Sequence, residues 1–181
     1  MIDRAVKVRA AVVLVAPQHR LSELPDISDF WPVLVHESGH LLIAHRLGME
    51  VKKLEVLSDG GYSHINFDNA RLVDELTVLL SGETVEVEIF GCQVLPRIHV
   101  GTTDRERLYL AVAKAGPIGQ QELFVARQKV KRMVRVHRGA IIRLATELLA
   151  IATDEGVMVD GPRLADLLDA DGSAILRRAP V

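Results

Sequence analysis

A His-Glu-x-x-His sequence at residues 36–40 lies inside an apolar segment, and it constrains how this chain can fold. Residues four apart lie one turn apart on the same face of an α-helix, so His36 and His40 can share one metal ion. The surrounding apolar residues predict a buried helix from about residue 28 to residue 47. Inside it, two imidazoles and the carboxylate of Glu37 need polar partners. A metal site would satisfy the imidazoles, and a helix with two hydrogen-bonded histidines and no metal is the alternative.

The same pattern is typical of zinc-dependent hydrolysis. Zinc lowers the pKa of a water in its coordination shell, and Glu37, directly after the first histidine, can take the proton from that water. Gly39, in the interior of the helix, costs about 1 kcal/mol relative to alanine. The sequence therefore predicts Glu37 as the catalytic base and a close neighbour packed against the turn at Gly39.

Composition excludes several other classes of protein. The chain has 181 residues and a net charge of −2, which gives no strong attraction to nucleic acid. A single cysteine, Cys92, excludes an intramolecular disulfide framework, and we expect it to be buried. The longest apolar run near the start, residues 10–17, is shorter than the roughly 20 residues that cross a membrane. We therefore expect a cytoplasmic protein that binds neither nucleic acid nor membrane.

Residues 51–67 give the only clear β signal in the sequence. Apolar residues flank the turn sequence Asp59-Gly60-Gly61, which predicts a hairpin or two short strands. An edge strand can hold an extended peptide by main-chain hydrogen bonds, although a purely structural hairpin would give the same pattern. The residues that would contact such a peptide are Gly60, Gly61, Tyr62, Ser63, His64 and Ile65.

Periodic apolar residues predict further helices elsewhere. They cover residues 72–90, residues from 104 to about 115, residues 118–152 and residues 162–168. The periodicity of residues 5–16 fits either a strand or a short helix, and we favour a helix. Asp68 or Asn69 is predicted to cap the helix that begins near residue 72. Thr103 and Glu106 have the spacing of a capping box, and Gly139 is predicted as a break in the longest helix.

A catalytic zinc needs a third protein ligand besides His36 and His40. His45 is nine residues from His36 and lies on the opposite side of the helix. Asp104 would lie in a first helical turn, where free N–H groups hold a carboxylate ionised. The same is true of any first-turn aspartate, so spacing leaves the choice open. The candidates are Glu83, Glu86, Asp104, His64 and His99.

Four segments, in order along the chain, match motifs of one known family. They are His36-Glu37-Ser38-Gly39-His40, Leu79-Leu80-Ser81-Gly82-Glu83-Thr84-Val85-Glu86 with Phe90-Gly91, Gly101-Thr102-Thr103-Asp104-Arg105-Glu106-Arg107, and Leu144-Ala145-Thr146-Glu147-Leu148-Leu149. The family motifs are His-Glu-Ala-Gly-His, Leu-Leu-x-Gly-Arg-x-Ala-Glu with Phe-Gly, Gly-Ala-x-Asn-Asp-Leu, and Leu-Ala-x-x-Leu-Leu. Through these motifs, residues 33–168 resemble the peptidase domain of the FtsH-type zinc metalloproteases, the ATP-dependent proteases of bacterial and organelle membranes.

The resemblance implies a mainly α (α+β) fold, a helical zincin-like metallopeptidase domain with a small sheet beside the zinc helix. It implies that His36, His40 and Asp104 hold Zn2+. It places Glu86 nearby, where it would orient a ligand histidine or serve as an alternative ligand. We divide the chain into an N-terminal extension, a peptidase domain and a C-terminal tail. These are residues 1–27, 28–170 and 171–181.

The function implied is that of a zinc endopeptidase acting on extended or unfolded polypeptides. The chain departs from the family at Glu83, where the family has arginine, and in lacking a Walker A loop and the transmembrane segments. A separate unfoldase would then deliver the substrate, or the chain would assemble into a ring as members of the family do. The alternative is a catalytically silent metal-binding module that captures peptides or regulates a partner.

Overall fold

A computed structural model describes residues 30–57, 60–93 and 103–170 of the chain. The described residues are 69% helical, with one small antiparallel sheet, so the prediction of a mainly helical α+β fold is confirmed. None of the helices among these residues is long and apolar enough to cross a membrane. Several predictions lie outside the described residues. They are the helix at 5–16, the candidate ligand His99, the turn residue Asp59, the extension at 1–27 and the tail at 171–181.

Six helices and three strands make up the described part of the chain. In order they are α1 (Phe30–Arg46), β1 (Val51–Leu57), β2 (Gly60–Ile65), α2 (Leu72–Leu79), α3 (Ser81–Phe90), α4 (Asp104–Ala115), α5 (Pro117–Ala150), β3 (Val157–Asp160) and α6 (Gly161–Asp169).

Helix α1 lies at the centre of the fold, where it contacts α3, α5 and the sheet. Its leucines Leu34 and Leu41 are fully buried and pack with Leu144 and Leu148 of α5. Each buried leucine contributes roughly 1.5–3 kcal/mol to stability. The helix ends at Arg46, one residue before the predicted end at Leu47, and Gly48 follows with a φ of 77°, which glycine readily adopts. The predicted metal-binding helix is therefore held on several sides by the core.

The sheet has the strand order β2-β1-β3, and both pairings are antiparallel. The predicted hairpin is confirmed as β1 and β2, with Leu54 opposite Ser63 and Val56 opposite Gly61. Strand β3 was not predicted, so the hairpin is not the only β structure. Within the described residues β2 is an edge strand, because β1 is the only strand that pairs with it.

The predicted helix over residues 72–90 is divided at Leu80 into α2 and α3. The Val78 carbonyl would accept from residue 82 in an uninterrupted helix. Here it accepts hydrogen bonds from the Ser81 hydroxyl and from Nδ1 of His40 on α1. The division at Leu80 thus coincides with a hydrogen bond between α1 and α2. The sequence around Leu80 does not predict this bond, because His40 lies 38 residues before Val78.

The predicted cap of α2 is wrong. Arg71 precedes the first helical residue and makes no side-chain cap. Asp68 and Asn69 form the preceding turn, and Asn69 has a φ of 62°, in the left-handed region. A capping residue needs extended backbone, so the helix begins only after this turn is complete.

Two further predictions are wrong and one is confirmed. Helix α5 runs through Gly139 without a break, and a Cβ atom at Gly139 would meet nothing within 4 Å. Cys92 is exposed, because it follows Gly91, the left-handed residue that ends α3.

The capping box at the start of α4 is confirmed, with reciprocal hydrogen bonds between Thr103 and Glu106. The capping box at Thr103 therefore makes Asp104 the first residue of α4.

Candidate metal centre

The structure brings together His36, His40 and Asp104. The Nε2 atoms of the two histidines, one turn apart on α1, are 3.0 Å from each other. Oδ2 of Asp104, in the first turn of α4, lies 2.9 Å from Nε2 of His40 and 3.4 Å from Nε2 of His36. These three residues could hold a metal ion.

The other ring nitrogen of each histidine is occupied by a hydrogen bond. Nδ1 of His36 lies 2.6 Å from Oε1 of Glu86, which is almost completely buried. Nδ1 of His40 lies 2.8 Å from the carbonyl oxygen of Val78 and 3.2 Å from the hydroxyl of Ser81. Carbonyl and carboxylate oxygens only accept, so the Nδ1 atoms carry the hydrogens. When the two rings are neutral, their Nε2 lone pairs therefore face the Asp104 carboxylate.

Three electron-rich atoms at this distance need positive charge between them. Burial lowers the pKa of a histidine, but bonds from the protonated ring to Asp104 and Glu86 outweigh it and raise the pKa of His36 to about 10. Burial also lowers the pKa of His40, but the negative charge of Asp104 outweighs it and raises that pKa. Partial burial opposes the ionised form of Asp104, yet the two histidines hold the pKa of that carboxyl well below its usual range. The site thus favours a cation, either a proton or a metal ion.

The geometry fits a small divalent cation. The three atoms are 2.9, 3.0 and 3.4 Å apart, close enough for all of them to bind one ion at a metal–ligand distance of about 2.1 Å. The donor set of two imidazoles and one carboxylate leaves a fourth position for a water or substrate oxygen. The hydrogen bonds that His36 donates to Glu86 and His40 donates to Val78 are of the kind that orient metal-binding imidazoles.

Two glycines make room for this arrangement. A Cβ atom at Gly82, at the start of α3, would overlap Nε2 and Cε1 of His36 and lie 2.5 Å from Nε2 of His40. A Cβ atom at Gly39 would lie 2.8 Å from the Val85 side chain. The close neighbour predicted for Gly39 is therefore α3, and its approach brings Gly82 to the histidines.

Glu37 is buried beside the three residues and is held by the sheet. Its Oε2 atom accepts a hydrogen bond of 2.5 Å from the hydroxyl of Ser63 on β2. A Cβ atom at Gly61 would lie 2.6 Å from Cγ of Glu37. The candidate base is therefore positioned by α1 together with β2.

The remaining candidate ligands lie outside the three-residue group. Glu86 contacts His36 through the ring nitrogen that faces away from the group. Glu83 is 39% exposed, with its carboxylate 3.9 Å from the guanidinium of Arg105. His64 is half exposed and lies 3.1 Å from the Glu55 carboxylate. On β2, Gly61 and Ser63 face Glu37, whereas Tyr62 and His64 are exposed.

Sequence analysis did not identify Ser81, Gly82 or the Val78 carbonyl as parts of this site. Gly82 carried a usable signal, because a glycine inside a helix indicates a close neighbour there as it does at Gly39. Ser81 and Val78 carried none, since their contacts with His40 depend on how α2 and α3 pack against α1.

No protein-family model and no curated protein sequence matches this chain. The class defined by the described residues is an α+β protein with a candidate metal centre between α1 and α4. The resemblance to FtsH-type peptidases remains a hypothesis based on the four motifs.

Proposed function

We propose that this protein is a zinc-dependent endopeptidase that hydrolyses extended or unfolded polypeptides. One observation carries the proposal. The carboxylate of Glu37, directly after His36 in the chain, is buried beside the three converging donor atoms and hydrogen-bonded to an edge strand. A carboxylate in this place is suited to general base catalysis.

The residues of this chain would divide the work as follows. His36, His40 and Asp104 would hold a zinc ion, which when bound polarises a carbonyl and lowers the pKa of a water. Glu37 would accept a proton from the attacking water and then donate it to the leaving amine. Glu86 would keep the His36 ring oriented, with its Nε2 lone pair toward the site.

Strand β2 would bind the substrate. Its outer edge has no partner strand among the described residues, so a peptide could add to it through main-chain hydrogen bonds. This strand, Gly60–Ile65, also contacts Glu37, which would bring the scissile bond close to the base. Only an extended or locally unfolded chain can pair in this way. A separate unfoldase would therefore have to supply substrate from folded proteins, and copies of this chain could assemble into a ring around it.

Zinc-loaded protein and casein, an unfolded protein, test the proposal. We expect about one zinc per chain by elemental analysis, casein cleavage that stops on chelation, and a loss of at least roughly 100-fold in Glu37→Gln. Glu83→Gln, which removes an exposed carboxylate from the same region, is the matched control and should cleave normally.

Two results would contradict the endopeptidase. If zinc is bound and Glu37→Gln cleaves as fast as the wild type, Glu37 is not the base. If the zinc-loaded wild type binds casein but does not cleave it, the protein is a catalytically silent metal-binding module that captures peptides.

A further inference from the structure

We propose that Ser63 is a positioning residue that orients the carboxylate of Glu37 for proton transfer, an inference that rests on the proposed endopeptidase function. The Ser63 hydroxyl donates a hydrogen bond of 2.5 Å to Oε2 of Glu37. This length is typical of a strong bond from a hydroxyl to an ionised carboxylate. Among the described residues the Ser63 hydroxyl bonds to Glu37 and to none of the three candidate metal-binding residues, so its effect would act through Glu37.

The carboxylate is confined on several sides. Glu37 is 5% exposed, and a Cβ atom at Gly61 would lie 2.7 Å from its Oε1 atom and 2.8 Å from the side chain of Val33. The backbone of β2 and the Val33 side chain thus restrict where Glu37 can turn. The Ser63 hydroxyl is the only side-chain donor to Glu37 among the described residues.

The strand itself holds this donor in place. Gly61 and Ser63 are two residues apart and therefore face the same side of β2. Their pairing with Val56 and Leu54 of β1 fixes the register, and both of these residues are fully buried. A slip of one residue would turn Ser63 away from Glu37 and replace it with an exposed side chain. The base is therefore tied to the sheet as well as to α1.

This arrangement divides the two oxygens of Glu37 between two tasks. A serine hydroxyl has one hydrogen, and here that hydrogen is bound to Oε2. The side-chain hydrogen bond to Glu37 among the described residues goes to Oε2, which leaves Oε1 without a side-chain donor there. Oε1 would then be the atom that accepts the proton of the attacking water, while Ser63 prevents the carboxylate from rotating.

Kinetics of casein-derived peptide cleavage by the zinc-loaded protein test this role with a matched pair of variants. Ser63→Ala removes the hydroxyl and should lower kcat roughly 10- to 100-fold, the loss expected when a reacting group is misplaced. KM and the affinity for zinc should stay within about twofold of the wild type. Ser63→Thr keeps a hydroxyl on a strand-forming residue and should restore most of kcat. A Ser63→Ala variant with wild-type kcat would overturn the proposal, as would an equal loss in Ser63→Thr.

A second measurement does not depend on activity. In protein labelled with 13C at the glutamate side-chain carboxyl, the Glu37 signal is assigned by its absence from Glu37→Gln. We expect this signal to shift in Ser63→Ala and to keep its position in Ser63→Thr. If the wild type cleaves nothing, the endopeptidase proposal fails, while an unchanged signal in Ser63→Ala overturns the orientation by Ser63 separately.

Discussion

Nδ1 of His36 on α1 lies 2.6 Å from Oε1 of Glu86 on α3. Glu86 is 2% exposed, so this carboxylate faces the imidazole in a part of the fold with little water. The bond fixes the hydrogen on Nδ1 and leaves the Nε2 lone pair for a metal ion. Helix α1 therefore supplies the two candidate histidine ligands, and α3 determines how the ring of His36 points.

We expect Glu86→Gln to weaken zinc binding roughly 10- to 100-fold. The amide keeps the size of the side chain but removes the charge that favours a hydrogen on Nδ1 of His36. Competition with a chromogenic chelator measures the affinity. Glu83→Gln on the same helix is the control, because its partly exposed carboxylate lies 3.9 Å from the guanidinium of Arg105 and does not bond to His36. Equal losses in the two variants would show that the effect is not specific to the His36 contact.

Gly82→Ala should abolish zinc binding in the micromolar range. The added methyl group would occupy the space of the His36 ring, so the two Nε2 atoms could not keep their present separation. Isothermal titration with zinc measures the loss, and circular dichroism shows whether the helices persist. A Gly82→Ala protein that binds zinc like the wild type would mean that the histidines do not converge as described.

Gly139→Ala on α5 makes the same change as Gly82→Ala at a site with free space, because the added methyl group would meet nothing within 4 Å. Because alanine has the higher helix propensity, the free energy of unfolding should rise by about 0.5–1 kcal/mol. Urea denaturation measures it. A decrease would indicate that the helix is distorted at this residue.

The elements that could be predicted are those whose signals are local. The capping box of Thr103 and Glu106 contains both partners within four residues, and Gly48 marks the end of α1. The spacing of His36 and His40 likewise determines their face of the helix. The choice of Asp104 came from the resemblance, because spacing alone could not relate α4 to α1.

The elements that could not be predicted depend on distant contacts. Strand β3 has only four residues, so its alternation of buried and exposed side chains is limited to two buried valines, Val157 and Val159. Its pairing partner β1 lies about 100 residues earlier in the chain. The division at Leu80 coincides with a bond from His40. The pairing of Ser63 with Glu37 needs both the hairpin register and the packing of the sheet on α1. Such relationships are set by tertiary structure.

We expect Ser38→Ala to raise the free energy of unfolding by about 1 kcal/mol. The Ser38 hydroxyl is fully buried in α1 and has no hydrogen-bond partner among the described residues. Removing it relieves an unsatisfied polar group and improves helix propensity. Ser81→Ala should do the opposite, with a loss of about 1–2 kcal/mol, because that hydroxyl bonds to Val78 and His40. Urea denaturation of both variants measures the contrast, and the reverse order would contradict it.

Asp74 on α2 forms two ion pairs, one with Arg71 just before α2 and one with Lys129 of α5, and it provides a test of pH dependence. Its carboxylate accepts a bond of 2.8 Å from Arg71 and a second bond from Lys129 on α5. Burial opposes the ionised form, but the bonds from Arg71 and Lys129 outweigh it and lower the pKa of Asp74. The unfolded chain therefore takes up this proton at a higher pH than the folded protein does, so the contribution is present above the ordinary aspartate pKa and is lost below it.

Asp74→Asn should therefore cost about 1.5–3 kcal/mol of unfolding free energy at pH 7, the contribution of hydrogen bonds to a charged group. The difference from the wild type should stay constant down to about pH 5 and then shrink as the pH falls through the ordinary aspartate pKa near 4 toward the lower folded value. Urea denaturation of both proteins between pH 3 and pH 7 measures it. Asp166→Asn, on the exposed side of α6, should change stability by less than about 0.5 kcal/mol throughout. A difference for Asp74→Asn that grows on acidification would mean that Arg71 and Lys129 do not favour the charged form in the folded protein.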